Sequence, residues 1–187
     1  MSLAVVHCRA QYGVDAPEVT VEVHLANGLP ALSIVGLAET AVRESKDRVR
    51  GALLNARFEF PTRRITINLA PADLPKDGGR FDLPIAIGIL AASGQIPSED
   101  LDRYEFAGEL ALTGALRPIR GALPVALRAA QHQRSLILPW SNAAEASLAT
   151  GVRILGAHHL LDVTAHLTGG QSLGVHVQDA TTTPPST

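Results

Sequence analysis

The sequence predicts an α+β fold, a two-layer sandwich in which helices cover a sheet. Two observations predict it: strands that read as hairpins come first, and strands then alternate with helices. The chain has 187 residues, of which 46 % are apolar, so it is long enough to bury a sizeable core. We expect one domain over residues 1–170 and a flexible linker over 171–187, where apolar periodicity gives way to Thr and Pro.

The opening strands are predicted from alternating apolar and polar residues. Apolar residues occupy every second position over 19–25, and an earlier apolar run covers 3–9. Asn27-Gly28 then separates 19–25 from a further strand over 29–35. Asn-Gly between two such runs is the strongest short signal of a β-hairpin, because a type I′ turn needs positive φ at both positions. The domain is therefore predicted to open with a β-meander.

The remaining elements follow from the same periodicities. Apolar residues at helical spacing predict helices over 38–56, 82–94, 123–132, 142–148 and 160–167. Strands are predicted over 63–69, 136–139 and 152–155, and a second hairpin over 104–112 and 116–119. A loop rich in Pro and Gly covers 70–80, and Asp82 is expected to cap the helix that follows it.

Composition limits the classes of function that the chain can have. The formal net charge is −2, so bulk charge does not attract the chain to DNA or to anionic membranes. Between residues 43 and 80, however, the sequence has nine Lys or Arg residues and only five Asp or Glu residues. Cys8 is the only cysteine and the start does not read as a signal peptide, so we expect a soluble cytoplasmic protein. Its most apolar run, 83–92, is about half the ~20 residues that a membrane span needs.

Motifs for cofactors and metals are missing from the sequence. It contains no Gly-x-x-x-x-Gly-Lys-Ser/Thr loop, which would cradle nucleotide phosphates. His158 and His159 are adjacent and should face different ways, and His166 lies two turns further on. We therefore expect no metal site and no cofactor in this chain. Cys8 lies in an apolar strand, which does not favour a reactive thiol.

Several segments carry a resemblance to a known family. They are ETAVRES at 39–45, FEFP at 58–61, RITINLAPADLPK at 64–76, FDLPIA at 81–86, and the stretch from HHLL at 158–161 to HLTG at 166–169. Together they resemble the N-terminal domain of ComM/YifB-type magnesium-chelatase-like proteins, over about residues 3–170. The resemblance implies a domain that precedes an AAA+ ATPase module, which would hold ATP and magnesium. It also implies a homo-hexameric DNA helicase that acts in branch migration during natural transformation.

The family domain is similar to the Lon peptidase domain, with a ribosomal-protein-domain-2-like fold, and to the C-terminal domain of RadA/Sms proteins. The Lon nucleophilic serine would fall on Arg80, after Pro-Lys-Asp-Gly at 75–78, and the catalytic lysine on Leu123. A Ser–Lys mechanism needs a hydroxyl and a lysine that can lose its proton, whereas arginine stays protonated. We therefore expect no catalytic residues here.

The candidate binding residues are basic. Lys76 and Arg80 lie on the glycine-rich loop before a helix, where backbone N–H groups favour anions. Spacings of three and four place Arg43, Lys46 and Arg50 on one helix face. With Arg63 and Arg64 on the next strand, these are candidates for contact with DNA phosphates or with an acidic partner; the alternative for each is an ordinary solvated or loop-bonded side chain.

The leading hypothesis is a non-catalytic accessory domain of such an ATPase, which aids hexamer assembly or positions DNA. One alternative is a Lon-type ATP-dependent serine peptidase domain, which Arg80 and Leu123 disfavour. The other is a purely structural domain that docks a partner and has no DNA role.

Overall fold

The computed structural model describes residues 2–176, which fold around a seven-stranded sheet with the strand order β3-β4-β2-β1-β5-β8-β9. A separate two-stranded sheet contains β6 and β7. The strands are β1 Ser2–Arg9, β2 Glu18–Ala26, β3 Ala31–Val35, β4 Arg64–Ala70, β5 Tyr104–Phe106, β6 Glu109–Leu110, β7 Leu116–Arg117, β8 Ser135–Pro139 and β9 Ile154–Ala157. The helices are α1 Glu39–Asn55, α2 Asp82–Ala92, α3 Ala122–Gln131, α4 Trp140–Ala146 and α5 Leu160–Thr168.

The first half of the sheet corrects the predicted β-meander. β1 and β2 pair antiparallel, but β2 and β3 are not neighbours, because β4 lies between them. Asn27-Gly28 therefore lies in a loop that connects β2 to β3, two strands that are not adjacent in the sheet. The prediction of a β-hairpin at this position is wrong. β3 instead pairs parallel with β4 after the crossover through α1. The local pattern signals a chain reversal, but it carries no information about a strand that arrives about 30 residues later.

The second half of the sheet is parallel. β5 pairs parallel with β1, β8 with β5, and β9 with β8. Helices α3, α4 and α5 alternate with these strands, which is the connection that parallel pairing requires. The second predicted hairpin is present only as the short β6–β7 pair, because residues 104–106 of its predicted first strand form β5 in the main sheet. The fold is thus mixed α/β with a mostly parallel sheet.

Helix α2 is the centre of the main core. All 11 of its residues are buried, as its continuous apolar sequence predicts. It packs on β1 and β2 so closely that a Cβ on Gly88 would lie 2.5 Å from Cγ2 of Val23. Glycine at this position therefore permits direct contact between the helix and the sheet.

A second buried cluster lies at the β8–β9 end. Leu136 and Leu138 of β8 pack with α3 and α4, whereas Ile137 between them belongs to the main core with Leu160 of α5. Since successive residues of a strand point to opposite faces, helices cover both faces of the sheet at this end. A two-layer sandwich is therefore not confirmed for the whole sheet.

The stretch after α5 lies against the edge of the sheet. Val175 pairs antiparallel with Leu155, the backbone N–H of His176 donates to the carbonyl of Ile154 at 2.7 Å, and Leu173 packs on the main core. The linker predicted from residue 171 therefore begins with a packed segment, 171–176. Its remainder, 177–187, lies outside the described residues.

Candidate functional site

Lys76 holds the loop between β4 and α2 in place. Its Nζ donates hydrogen bonds to the backbone carbonyls of Gly36, Pro71 and Leu74, and only 4 % of the residue is exposed. Burial lowers the pKa of Lys76. Three carbonyl acceptors match the three donors of an ammonium group, so Lys76 is not free to contact a ligand in this structure.

Arg80 is also buried, with 6 % of the residue exposed. Its Nη2 donates to Oε1 of Gln11 at 3.2 Å and to the carbonyl of Arg120. Its Nη1 is buried and has no hydrogen-bond partner among the described residues. Burial lowers the pKa of Arg80, which reflects the cost of holding this charge away from water.

Arg80 forms part of an open cleft of about 350 Å³. The loop before α2 supplies one wall, and the end of β7 with the residues after it supplies the other. The lining residues are Gln11, Asp77, Gly78, Gly79, Arg80, Glu109, Pro118, Ile119 and Arg120. None of these side chains is a hydroxyl, a thiol, an imidazole or a lysine. At the other position named by the Lon comparison, Leu123 is half-buried in α3 and its backbone N–H donates to Oε2 of Glu145.

Asp82 ties the start of α2 to its neighbours and does not cap the helix. Its carboxylate accepts hydrogen bonds from Ser45 at 2.8 Å, from Arg48 Nε at 2.6 Å and from the backbone N–H of Leu110 at 3.1 Å. No side-chain cap is present at this helix start, so the predicted capping role is wrong. Burial raises the pKa of Asp82, and the bond and charge of Arg48 oppose that effect. The carboxylate thus joins α1, α2 and β6.

The basic residues of α1 remain accessible. Arg43 and Arg50 are exposed and Lys46 is half-buried. The described residues offer no hydrogen-bond or ion-pair partner to Arg43 or Lys46. Arg50 lies over the ring of Phe60, 5.3 Å from its centroid, which is a cation–π distance.

Arg63 and Arg64 are the two candidates that lie outside α1. Arg63 lines a groove of about 230 Å³ together with Arg50 and Phe60. Arg64 is the exposed first residue of β4 and pairs with Ala26 and Ala31 on the neighbouring strands. The structure therefore separates the seven candidates into two buried side chains at the cleft loop and five on α1 and the start of β4.

A buried ionic network was not predicted from the sequence. Arg9 donates to both carboxylate oxygens of Glu105, at 2.7 and 2.9 Å, and both side chains are almost fully buried. Arg134 reaches the same carboxylate at 3.3 Å and Glu18 at 2.8 Å, and Nδ1 of His132 lies 2.9 Å from Arg9. Arg9 and Glu105 are 96 positions apart, so only their place in otherwise apolar strands could have drawn attention to them.

Residues 2–176 contain neither a metal-binding cluster nor a helix that could span a membrane. No group of three or more His, Cys, Asp or Glu side chains is arranged to hold a metal ion. Within the same residues, no helix combines the length and the apolar character needed to cross a membrane.

Comparison with known proteins identifies the family. Residues 21–142 match the family model described as subunit ChlI of Mg-chelatase. The chain is 56 % identical over 173 residues to competence protein ComM of Haemophilus influenzae, which covers 92 % of this chain and 34 % of that protein. It is 54 % identical over 173 residues to YifB of Escherichia coli, with the same coverage.

A more distant similarity is to Lon protease 2 of Bacillus subtilis, at 27 % identity over 157 residues, which covers 75 % of this chain and 28 % of that protease. The chain therefore spans about a third of the length of the curated relatives that it matches. The match to the family model covers well over half of the chain. The chain belongs to the magnesium-chelatase subunit ChlI family and is similar to about a third of the length of ComM and YifB proteins.

Proposed function

We propose that this chain is a non-catalytic accessory domain of a longer, ComM-type magnesium-chelatase-like ATPase. The observation that carries the proposal is the cleft at Arg80. The resemblance to Lon peptidases puts their serine at Arg80, and the residues that line the cleft include no hydroxyl or thiol nucleophile and no lysine base. An arginine bonded to Gln11 and Arg120 occupies that position instead.

The proposal includes a Lon-like arrangement of the fold. The similarity to Lon protease 2 supports it, as does the way in which the cleft brings together the loop at 77–80 and the residues 118–120 after β7. In a Lon-type peptidase these two regions would supply the dyad. Here the same scaffold would serve for assembly or binding.

Chemistry that needs ATP would belong to the rest of the protein. The relatives are about three times as long as this chain, and the sequence has no phosphate-binding loop of the Walker type. We propose that a second, AAA+ module holds ATP and magnesium, that the complete protein forms a homo-hexamer in the cytoplasm, and that it migrates DNA branches.

The accessory domain would help to position DNA through the basic face of α1. Arg43 and Lys46 support this role, since both reach solvent and neither has a partner side chain among the described residues. Contact with phosphates alone would bind DNA without reading its sequence. Aromatic residues make up only 4 % of the chain, so stacking on bases is not the expected mode.

Fluorescence anisotropy with labelled duplex, single-stranded and forked DNA tests this role. We expect binding that weakens steeply between about 50 and about 200 mM salt, because contacts to phosphates release counterions. The double variant R43Q/K46Q should bind severalfold more weakly and show a smaller salt slope. A matched variant, R103Q/R153Q, removes the same charge from exposed positions outside α1 and should bind like the unmodified chain. Equal weakening in both variants, or no binding at low salt, would contradict a DNA contact on α1.

A further inference from the structure

Arg80 differs from the other buried cations in having neither an anionic partner nor a complete set of hydrogen bonds. Arg9 meets the carboxylate of Glu105 with two hydrogen bonds, and the ammonium group of Lys76 uses all three donors on carbonyls. Arg80, by contrast, bonds only to the neutral side chain of Gln11 and a backbone carbonyl, and one of its terminal nitrogens is unpartnered among the described residues. A buried charge without an anionic partner is costly, and a bound anion would offset that cost.

The acidic groups near Arg80 do not supply this anion. Burial raises the pKa of the Cys8 thiol far above neutral pH, so Cys8 remains uncharged beside Arg80. The carboxylate of Glu109 packs against Gly79, where a Cβ would lie 2.2 Å from its Oε1, and its charge acts on Arg48 instead. The described residues include no ion pair with Arg80, although Arg9, Arg48 and Arg134 all have one.

The space in front of Arg80 is suited to an oxyanion. The cleft is open to solvent and its volume of about 350 Å³ lies at the small end of ligand sites. The backbone N–H groups of Gly78 and Gly79 lie at its wall and donate to no acceptor among the described residues. Gly78 and Gly79 lead through one helical turn into α2, so these amides also lie at the positive end of a helix dipole.

The charges around the cleft favour an anion with a single negative charge. Arg80 and Arg120 are balanced in number by Asp77 and Glu109, so a phosphate dianion would meet two carboxylates with no net positive field to offset them. A carboxylate carries one charge, which the unbalanced guanidinium of Arg80 and the backbone amides can offset. We propose that this cleft binds a carboxylate of a polypeptide, either its C-terminal group or an acidic side chain, with the guanidinium of Arg80 as its countercharge.

The test is an NMR titration of the isotopically labelled 187-residue chain with small probes. N-acetylglycine presents the free carboxylate of a peptide, and N-acetylglycinamide is its neutral counterpart. We expect N-acetylglycine to shift the amide resonances of Gly78 and Gly79 and to saturate, and we expect the amide to leave them unchanged. The variant R80M should remain folded, because it removes an unpaired buried charge. It should weaken binding about tenfold or more, since it removes a hydrogen bond to a charged group.

The variant R120Q provides a second check if R80M does not fold. Arg120 is exposed at the rim of the cleft, so its loss should leave the fold intact and weaken binding severalfold. Three results would overturn the proposal: equal responses to the acid and to the amide, unchanged binding by R80M or R120Q, and no shift at Gly78 and Gly79. Tighter binding of inorganic phosphate than of N-acetylglycine would show an anion site of another kind and would also overturn it.

Discussion

The buried charged residues of this fold have different roles, and the hydrogen-bond partners of each residue determine its role. Lys76 fixes a loop through three carbonyls, and Asp82 joins α1, α2 and the β6 strand. Arg9 and Glu105 link the first strand to a strand about 100 residues later. Arg80 lines a cleft and, among the described residues, has no anionic partner and one nitrogen without a hydrogen bond. Burial alone therefore does not separate the structural cations from the binding cation that we propose at Arg80, whereas their hydrogen-bond partners differ.

The Arg9–Glu105 pair should contribute strongly to stability. Replacing Glu105 with Gln leaves Arg9 buried without its full countercharge, so we expect the free energy of unfolding to fall by about 3–5 kcal/mol. Urea denaturation followed by circular dichroism measures this. As a control, R103Q removes the exposed pair between Arg103 and Asp100, whose side chains are 77 % and 69 % exposed, and should change stability little. Equal losses in the two variants would contradict the role given to the buried pair.

At the scale of elements, the crossover from β3 through α1 to β4 sets the architecture of the first half. Gly36 follows β3 directly and has a φ of +100°. A Cβ at this position would lie 2.2 Å from the carbonyl oxygen of Leu69 in β4. The backbone at the end of β3 can therefore approach β4 this closely only because position 36 has no side chain.

Gly36→Ala should destabilise the chain more than Gly28→Ala does. Both positions have positive φ, but a Cβ on Gly28 would meet no atom within 4 Å. The difference between the variants thus isolates the close approach to Leu69, and we expect it to be about 1–3 kcal/mol. Thermal unfolding of both variants gives the comparison. Equal midpoints would show that backbone strain, and not contact with β4, is the reason for glycine at position 36.

The segment 171–176 is held by a histidine that must be neutral. Nδ1 of His166 accepts a hydrogen bond from the backbone N–H of Leu173 at 2.9 Å, and its Nε2 lies 3.2 Å from the Tyr104 hydroxyl. Burial lowers the pKa of His166, and the charge of Arg153 adds to that effect. Because the neutral form is favoured only when the segment is docked, docking weakens as pH falls below the unfolded pKa of about 6.5 and is weakest below the folded pKa.

We therefore expect the amide resonance of Leu173 to titrate as the pH is lowered from about 7.5 to about 5. In the variant H166Q this transition should disappear. In H158Q, which removes an exposed histidine stacked on Trp140, it should persist. A Leu173 resonance that titrates equally in H166Q would show that another group controls the segment.

The local sequence pattern predicted most helices and strands, but it did not predict which strands are adjacent in the sheet. The helices and most strands appear where apolar spacing placed them, since burial of one face is a local property of the sequence. Pairing is not local: β4 lies between β2 and β3, and no residue near Asn27-Gly28 indicates this.

The candidate site could likewise be predicted only in part from the local sequence. The sequence drew attention to Lys76 and Arg80 as basic loop residues, but the partners that distinguish them, such as Gln11 and the Arg120 carbonyl, come from distant segments.

At the scale of the whole molecule, this chain combines a sheet covered by helices on both faces at one end with a cleft between the 70–80 loop and the β7 strand. It matches about a third of ComM and YifB and part of a Lon protease. We propose that the scaffold retains the cleft of a peptidase but uses it without hydrolysis, as an accessory to an ATPase elsewhere in the protein.

Incubation with an unfolded protein substrate, such as reduced and carboxymethylated casein, distinguishes an accessory domain from a peptidase. We predict no cleavage above that of a sample without the chain, because the cleft has neither a hydroxyl nucleophile nor a lysine base. Cleavage that increases with the amount of chain and is lost in the cleft variant E109Q would contradict a non-catalytic role and would make the chain a peptidase.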